Sequence, residues 1–109
     1  MKDIWDNPQS TELLKAILEL KNPKEAKQSF RDLLTEKEIV EFSSRWKAAQ
    51  MLSNNIPYTQ IQEETGLSST TVARISKWLN QGKGGYKLAI SRIHHSHHAE
   101  KSPSGKRLY

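Results

Sequence analysis

The sequence predicts an all-α chain of about five helices organised around a helix-turn-helix. Three observations predict it. Apolar residues recur at helical spacing, as with Val72, Ile75 and Leu79 at i, i+3 and i+7. No useful length of sequence alternates apolar and polar residues, so no strand is expected. Gly66 stands between two short helical segments, the layout of two helices joined by a tight turn.

Residues 1–9 are expected to be frayed, with Asn7-Pro8 marking a turn. A first helix is expected from Ser10 or Thr11 to about residue 21. Its Leu13, Leu14, Ile17, Leu18 and Leu20 spread wider than a narrow stripe, which implies two contact surfaces. Asn22-Pro23 ends it, and Pro23 suits the first position of a second helix carrying Ala26, Phe30, Leu33 and Leu34. Residues 10–34 are surplus to a minimal helix-turn-helix unit and are expected to be dimerisation helices. Thr35 and Glu38 form a capping-box pattern that opens the longest helix, which runs to about Ser53. It carries Ile39, Phe42, Trp46, Ala49 and Leu52 and stops ahead of Pro57. This third helix closes the core of a unit spanning residues 35–82, with the helix-turn-helix at 58–80.

Within that unit Gly66 supplies the positive φ that a chain reversing between helices needs. Ser68 is placed to cap the second helix through the amide of Thr70 or Thr71. With Val72, Ile75 and Leu79 inward, Ser69, Thr70, Ala73, Arg74 and Lys77 are left outward. Together with Ser68 and Thr71 they form a face of small hydroxyls followed by cations. That chemistry suits base edges and phosphates of double-stranded DNA. A plain helical hairpin would share the periodicity; glycine, cap and polar tip in one window favour the DNA-binding reading.

Length and composition narrow the classes. At 109 residues the chain is expected to form one small domain. Its hydrophobic content of 35% is low for a chain that buries a core alone, so part is unstructured or finds burial in a partner. There is no cysteine, hence no disulfide, thiolate nucleophile or Cys metal site. No apolar run is long enough for a membrane span, and MKDIWDNPQS lacks the apolar segment of a signal peptide. A cytoplasmic, nucleoid-associated location is expected.

The net charge of +5 is uneven. Residues 1–82 carry eleven Lys/Arg and eleven Asp/Glu, so the whole excess lies in residues 83–109. This basic stretch is expected to be a mostly disordered tail: either an electrostatic arm for phosphate or a solubilising end. Gly82–Gly85 interrupts the helix, and YKLAISRI is expected as a short turn or an extended segment. His94, His95, His97 and His98 are the only ligand-like cluster, but nothing completes a tetrahedral set and no metal site is assigned. No enzyme is expected: the glycine-rich segment lacks a preceding strand, and no histidine outside the tail could pair with a nucleophile.

With its elements in order, the chain resembles the Trp repressor superfamily and, within it, the YerC/YecD-type branch. The residues carrying the resemblance are Leu34-Thr35-x-x-Glu38, Arg45, the run EETGLSSTTVAR from Glu63 to Arg74, and WLNQGKGGYKL from Trp78. They cover about residues 30–80 by pattern and 10–90 by helix order. The resemblance implies an intertwined all-helical homodimer that binds operator DNA and represses transcription. It also implies that Thr35, Arg45 and Arg74 match positions that hold an L-tryptophan corepressor. Two positions depart from that pattern: Ile75 replaces a glycine and Trp78 a small serine, filling the space of an indole. L-tryptophan is therefore not expected as the effector, and no cofactor is assigned. Arg45 also has an ordinary alternative, an i−4 ion pair with Glu41.

Two function classes follow. One is a dimeric, sequence-specific transcriptional regulator, a repressor with its helix-turn-helix in the major groove. The other is a helical protein-protein interaction module whose basic tail only aids solubility. Affinity for duplex DNA at low salt separates them.

Overall fold

Helices account for most of the chain, and no described residue lies in a strand. The computed structural model describes residues 3–101, with side chains to residue 95. The chain divides between Val40 and Glu41 into two compact units, where the length alone implied a single domain.

In the first unit a 3-10 turn over Ile4–Asp6 is capped by Asp3. The first helix, α1 (Pro8–Leu18), begins earlier than expected, so residues 3–9 are not a frayed end. The Asn7 side chain accepts a hydrogen bond from the Gln9 amide at 2.7 Å, with Pro8 at the first helical position. Asn-Pro is a helix start as well as a turn signal, because proline presets the helical φ and gives up an amide that has no partner there. The next helix, α2 (Pro23–Leu33), starts by the same device: the Asn22 side chain accepts from the Glu25 amide at 2.9 Å. Between α1 and α2 lies an apolar cleft lined by Leu13, Ile17, Leu20, Phe30 and Leu33. No described residue of this unit is buried.

Thr35 and Glu38 open α3 (Glu36–Ser53) with the reciprocal bonds of a capping box. The Thr35 hydroxyl accepts from the Glu38 amide at 3.1 Å, and the Glu38 carboxylate accepts from the Thr35 amide at 2.9 Å. At its other end, Asn55 takes a left-handed conformation at φ 60°. The Ile56 amide reaches back to the Met51 carbonyl and the Asn55 amide to that of Leu52, each at 3.0 Å. This is a Schellman termination with asparagine in the usual glycine position.

The second unit holds the core. Among the described residues, Ala48 and Ala49 of α3, Ile61 of α4 (Tyr58–Thr65), Val72, Ile75 and Leu79 of α5 (Ser69–Gln81) and Ile90 of α6 (Gly85–Lys101) are buried there. Burying Ile61, Val72 and Ile75 stabilises this unit by roughly 1.5–3 kcal/mol each. Two alanines on α3 leave room for these larger side chains to interdigitate.

Helix α6 corrects the expectation of a mostly disordered tail from residue 83. Gly84, at φ 89°, turns the chain after α5 and lets a new helix begin. Tyr86, Ala89 and Ile90 then return to one face at i, i+3 and i+4, where Ile90 is buried and Tyr86 packs against the core. Tertiary burial overrides the polar composition of the segment. The tail beyond Lys101 lies outside the described residues.

Candidate nucleic-acid interface

The turn between α4 and α5 is built from four adjacent residues. Gly66 adopts φ 76°, and its amide closes α4 on the Gln62 carbonyl at 2.9 Å. Thr65 donates to the Ile61 carbonyl at 2.7 Å and accepts from the Leu67 amide at 3.2 Å, which fixes the exit from α4. Ser68 then caps α5, accepting from the Thr71 amide at 3.1 Å. Its hydroxyl also bonds the Thr71 hydroxyl at 3.0 Å. On α3, Lys47 reaches Glu64 at 3.7 Å and ties α4 to the long helix.

On α5 the division between faces is sharp. Val72 and Ile75 are fully buried and Leu79 nearly so, whereas Ser69, Thr70, Ala73, Arg74 and Lys77 are all exposed. Ser68 is exposed, but its oxygen is engaged by the cap; Thr71 is half-buried and faces that cap. The candidate contact set therefore narrows to five free outward residues plus two at the tip that also hold the turn. Arg74 has no hydrogen-bond or ion-pair partner among the described residues, so its guanidinium presents all its donors to the outside.

The three candidate effector residues are not brought together by any described contact. Thr35 belongs to the first unit and is used in its capping box. Arg45 and Arg74 belong to the second. Arg45 pairs with Glu41 at 2.6 Å, one helical turn away, and its Nε is buried without a hydrogen-bond partner. Ile75 lies wholly inside the core. Trp78, also on α5, stands 42% exposed. Of the histidines, His94 and His95 are exposed on α6; the side chains of His97 and His98 lie outside the described residues. Among the described residues no three metal-ligating side chains gather, and no helix is long and apolar enough to cross a membrane.

Sequence reading missed Thr65, whose double hydrogen bond locks the turn; a threonine at the last position before a helix-ending glycine was the available signal. It also missed Tyr86, because the glycines before it argued against a helix.

These features define an all-helical helix-turn-helix protein. The family model for the Trp repressor protein matches residues 9–94, and the chain belongs to that family. It is 37% identical to the uncharacterized protein YerC of Bacillus subtilis strain 168 over 82 residues, 75% of this chain and 79% of that protein. The crystal structure of a TrpR-like protein from Eubacterium eligens matches with a TM-score of 0.79 at 36% identity, covering 83% of this chain and 93% of that one. A candidate Trp repressor from Staphylococcus aureus matches with a TM-score of 0.78 at 31% identity, covering 85% and 96%.

Proposed function

We propose that this chain is a sequence-specific DNA-binding regulator of transcription, acting as a homodimeric repressor that lays α5 in the major groove. The observation that carries the reading is the two-sidedness of α5. Its aliphatic side is sealed in the core while Ser69, Thr70, Ala73, Arg74 and Lys77 stand free. Short hydroxyls let the backbone approach base edges, Arg74 suits guanine, and Lys77 suits a phosphate. Membership of the Trp repressor family supports the same reading. Such a partner implies the cytoplasm, at the nucleoid.

A second copy of the chain is the partner we assign to the first unit. None of that unit's described residues is buried, yet it exposes Leu18 at 80% and Leu33 at 54%. Covering these faces with an identical pair offsets the cost of their hydration and, by two-fold symmetry, presents two copies of α5 roughly one helical turn of DNA apart.

Selection of bound sequences from random duplexes with the purified chain tests both statements. A two-fold symmetric motif is expected, with sedimentation at twice the chain mass. A stable monomer without duplex affinity at low salt would overturn the proposal in favour of an interaction module.

A further inference from the structure

One edge of α5 continues past the outward face already described. Ser69, Ala73, Ser76 and Asn80 follow i, i+4, i+7 and i+11, a single stripe along the helix. Ser69 and Ala73 belong to the outward face, whereas Ser76 and Asn80 line a solvent-open concavity of the second unit. Lys87 and Ser91 of α6 and Tyr58, at the start of α4, line it as well. Apolar residues line it too: Leu52, Ile56 and Pro57 beside the core residues Leu79 and Ile90.

The charge of this concavity is one-sided. Among the described residues Lys87 is its only cation, and no acidic residue lines it. The Lys87 ammonium has no ion-pair or hydrogen-bond partner among the described residues. Neutral hydrogen-bonding groups share the lining: the Ser53, Ser76, Ser91 and Tyr58 hydroxyls and the Asn55 and Asn80 amides. Asn80 is held there by its Nδ2 donating to the Ser76 carbonyl at 2.9 Å, which leaves its side-chain oxygen and second N–H outward.

We propose that this concavity seats the phosphodiester backbone of duplex DNA, with Lys87 as the cation that neutralises one phosphate. A strand passing along the Ser69–Asn80 edge of a helix in the major groove runs directly into it. The first helix of a helix-turn-helix crosses the backbone, and Tyr58 lies at the start of that helix. Because α6 packs against α5, Lys87 is carried on a fixed element and not on a loose tail. The inference rests on the DNA-binding reading and deepens it: it assigns one lysine of the basic segment to a defined place and leaves Arg92 without that role.

The test measures affinity for a selected duplex across a salt series, with the full chain and with Lys87→Ala, Lys87→Arg and Arg92→Ala. Circular dichroism verifies that α6 is intact in each. Lys87→Ala should lower the slope of log affinity against log salt by about one, equally for matched and mismatched duplexes. Lys87→Arg should keep the slope, and Arg92→Ala should leave it unchanged. Ethylation interference should show one phosphate that the wild type needs and Lys87→Ala does not. An unchanged slope in Lys87→Ala, or an equal loss in Arg92→Ala, overturns the proposal while the DNA-binding reading stands. A wild-type chain without duplex affinity overturns both.

Discussion

Trp46 on α3 and Tyr86 on α6 stack with ring centroids 6.4 Å apart and planes inclined by 25°. The pair fastens the last helix to the longest one, next to the buried Ile90. Aromatic pairs at this separation add about 0.5–1.5 kcal/mol beyond the area they bury. Tyr86→Ala should therefore destabilise the chain by roughly 2 kcal/mol, the packing loss of a half-buried ring plus the pair term. Tyr86→Phe should be nearly neutral, since the stack survives. Urea midpoints check both, and a double-mutant cycle with Trp46→Ala isolates the pair.

That same contact shows where sequence reading stops. The face of α5 was legible because period, cap and glycine agreed: Val72, Ile75 and Leu79 are buried and Ser68 caps. The capping box at Thr35 and Glu38 was legible for the same reason, as its bonds are local. Helix α6 was not. Its face of Tyr86, Ala89 and Ile90 is short, two glycines precede it and four histidines follow, so local preference opposes it. What decides its existence is burial against α3 and α5, a long-range term that no window of sequence contains. At the site, outward residues could be read from periodicity, but the engagement of Ser68 and Thr71 with each other could not.

The turn itself is sensitive at two positions, Gly66 and Ser68, whose backbone and capping roles hold it together. Gly66 adopts φ 76° with open space around it, so an added Cβ meets no neighbour and only the backbone objects. Gly66→Ala should cost about 1–2 kcal/mol, the penalty of an L-residue in the left-handed region. Gly66→Asn should cost less, as asparagine tolerates that region better. Ser68→Ala should cost about 1 kcal/mol by orphaning the Thr71 amide. Denaturant unfolding with unchanged m-values would separate these effects from a change in the unfolded state.

Arg74 and Lys77 should separate by the kind of contact they make. If Arg74 reads a guanine through its free guanidinium, Arg74→Ala costs about 1–3 kcal/mol and relaxes preference at that base pair alone. Lys77→Ala should weaken all duplexes alike and lower the salt slope by about one. Both side chains are exposed, so neither change should move the unfolding midpoint appreciably. Titrations against matched and mismatched duplexes at two salt concentrations make the distinction.

Leu18 tests the assignment of the first unit. At 80% exposure it contributes little to the stability of a single chain. Leu18→Glu should therefore leave secondary structure intact while placing a charge on the face that a second copy would cover. Sedimentation should shift from dimer to monomer, and affinity for a symmetric duplex should fall with it, because two half-sites are no longer engaged together.

L-tryptophan should not act as a corepressor of this chain. Ile75 is wholly buried where the resemblance places a glycine beside the ligand, so the Cβ-branched side chain occupies volume that the core has already closed around. Arg45 is held by Glu41 at 2.6 Å and is not free to receive a carboxylate unless that pair is broken. An exposed i, i+4 pair is worth only about 0.3–0.5 kcal/mol, so the pair alone would not prevent binding; the filled volume would. Calorimetric titration of the full chain with L-tryptophan should give no saturable heat, and adding it should leave duplex affinity unchanged. Glu41→Ala, which frees the Arg45 guanidinium, should not restore binding. If it did, the ion pair and not Ile75 would be the barrier.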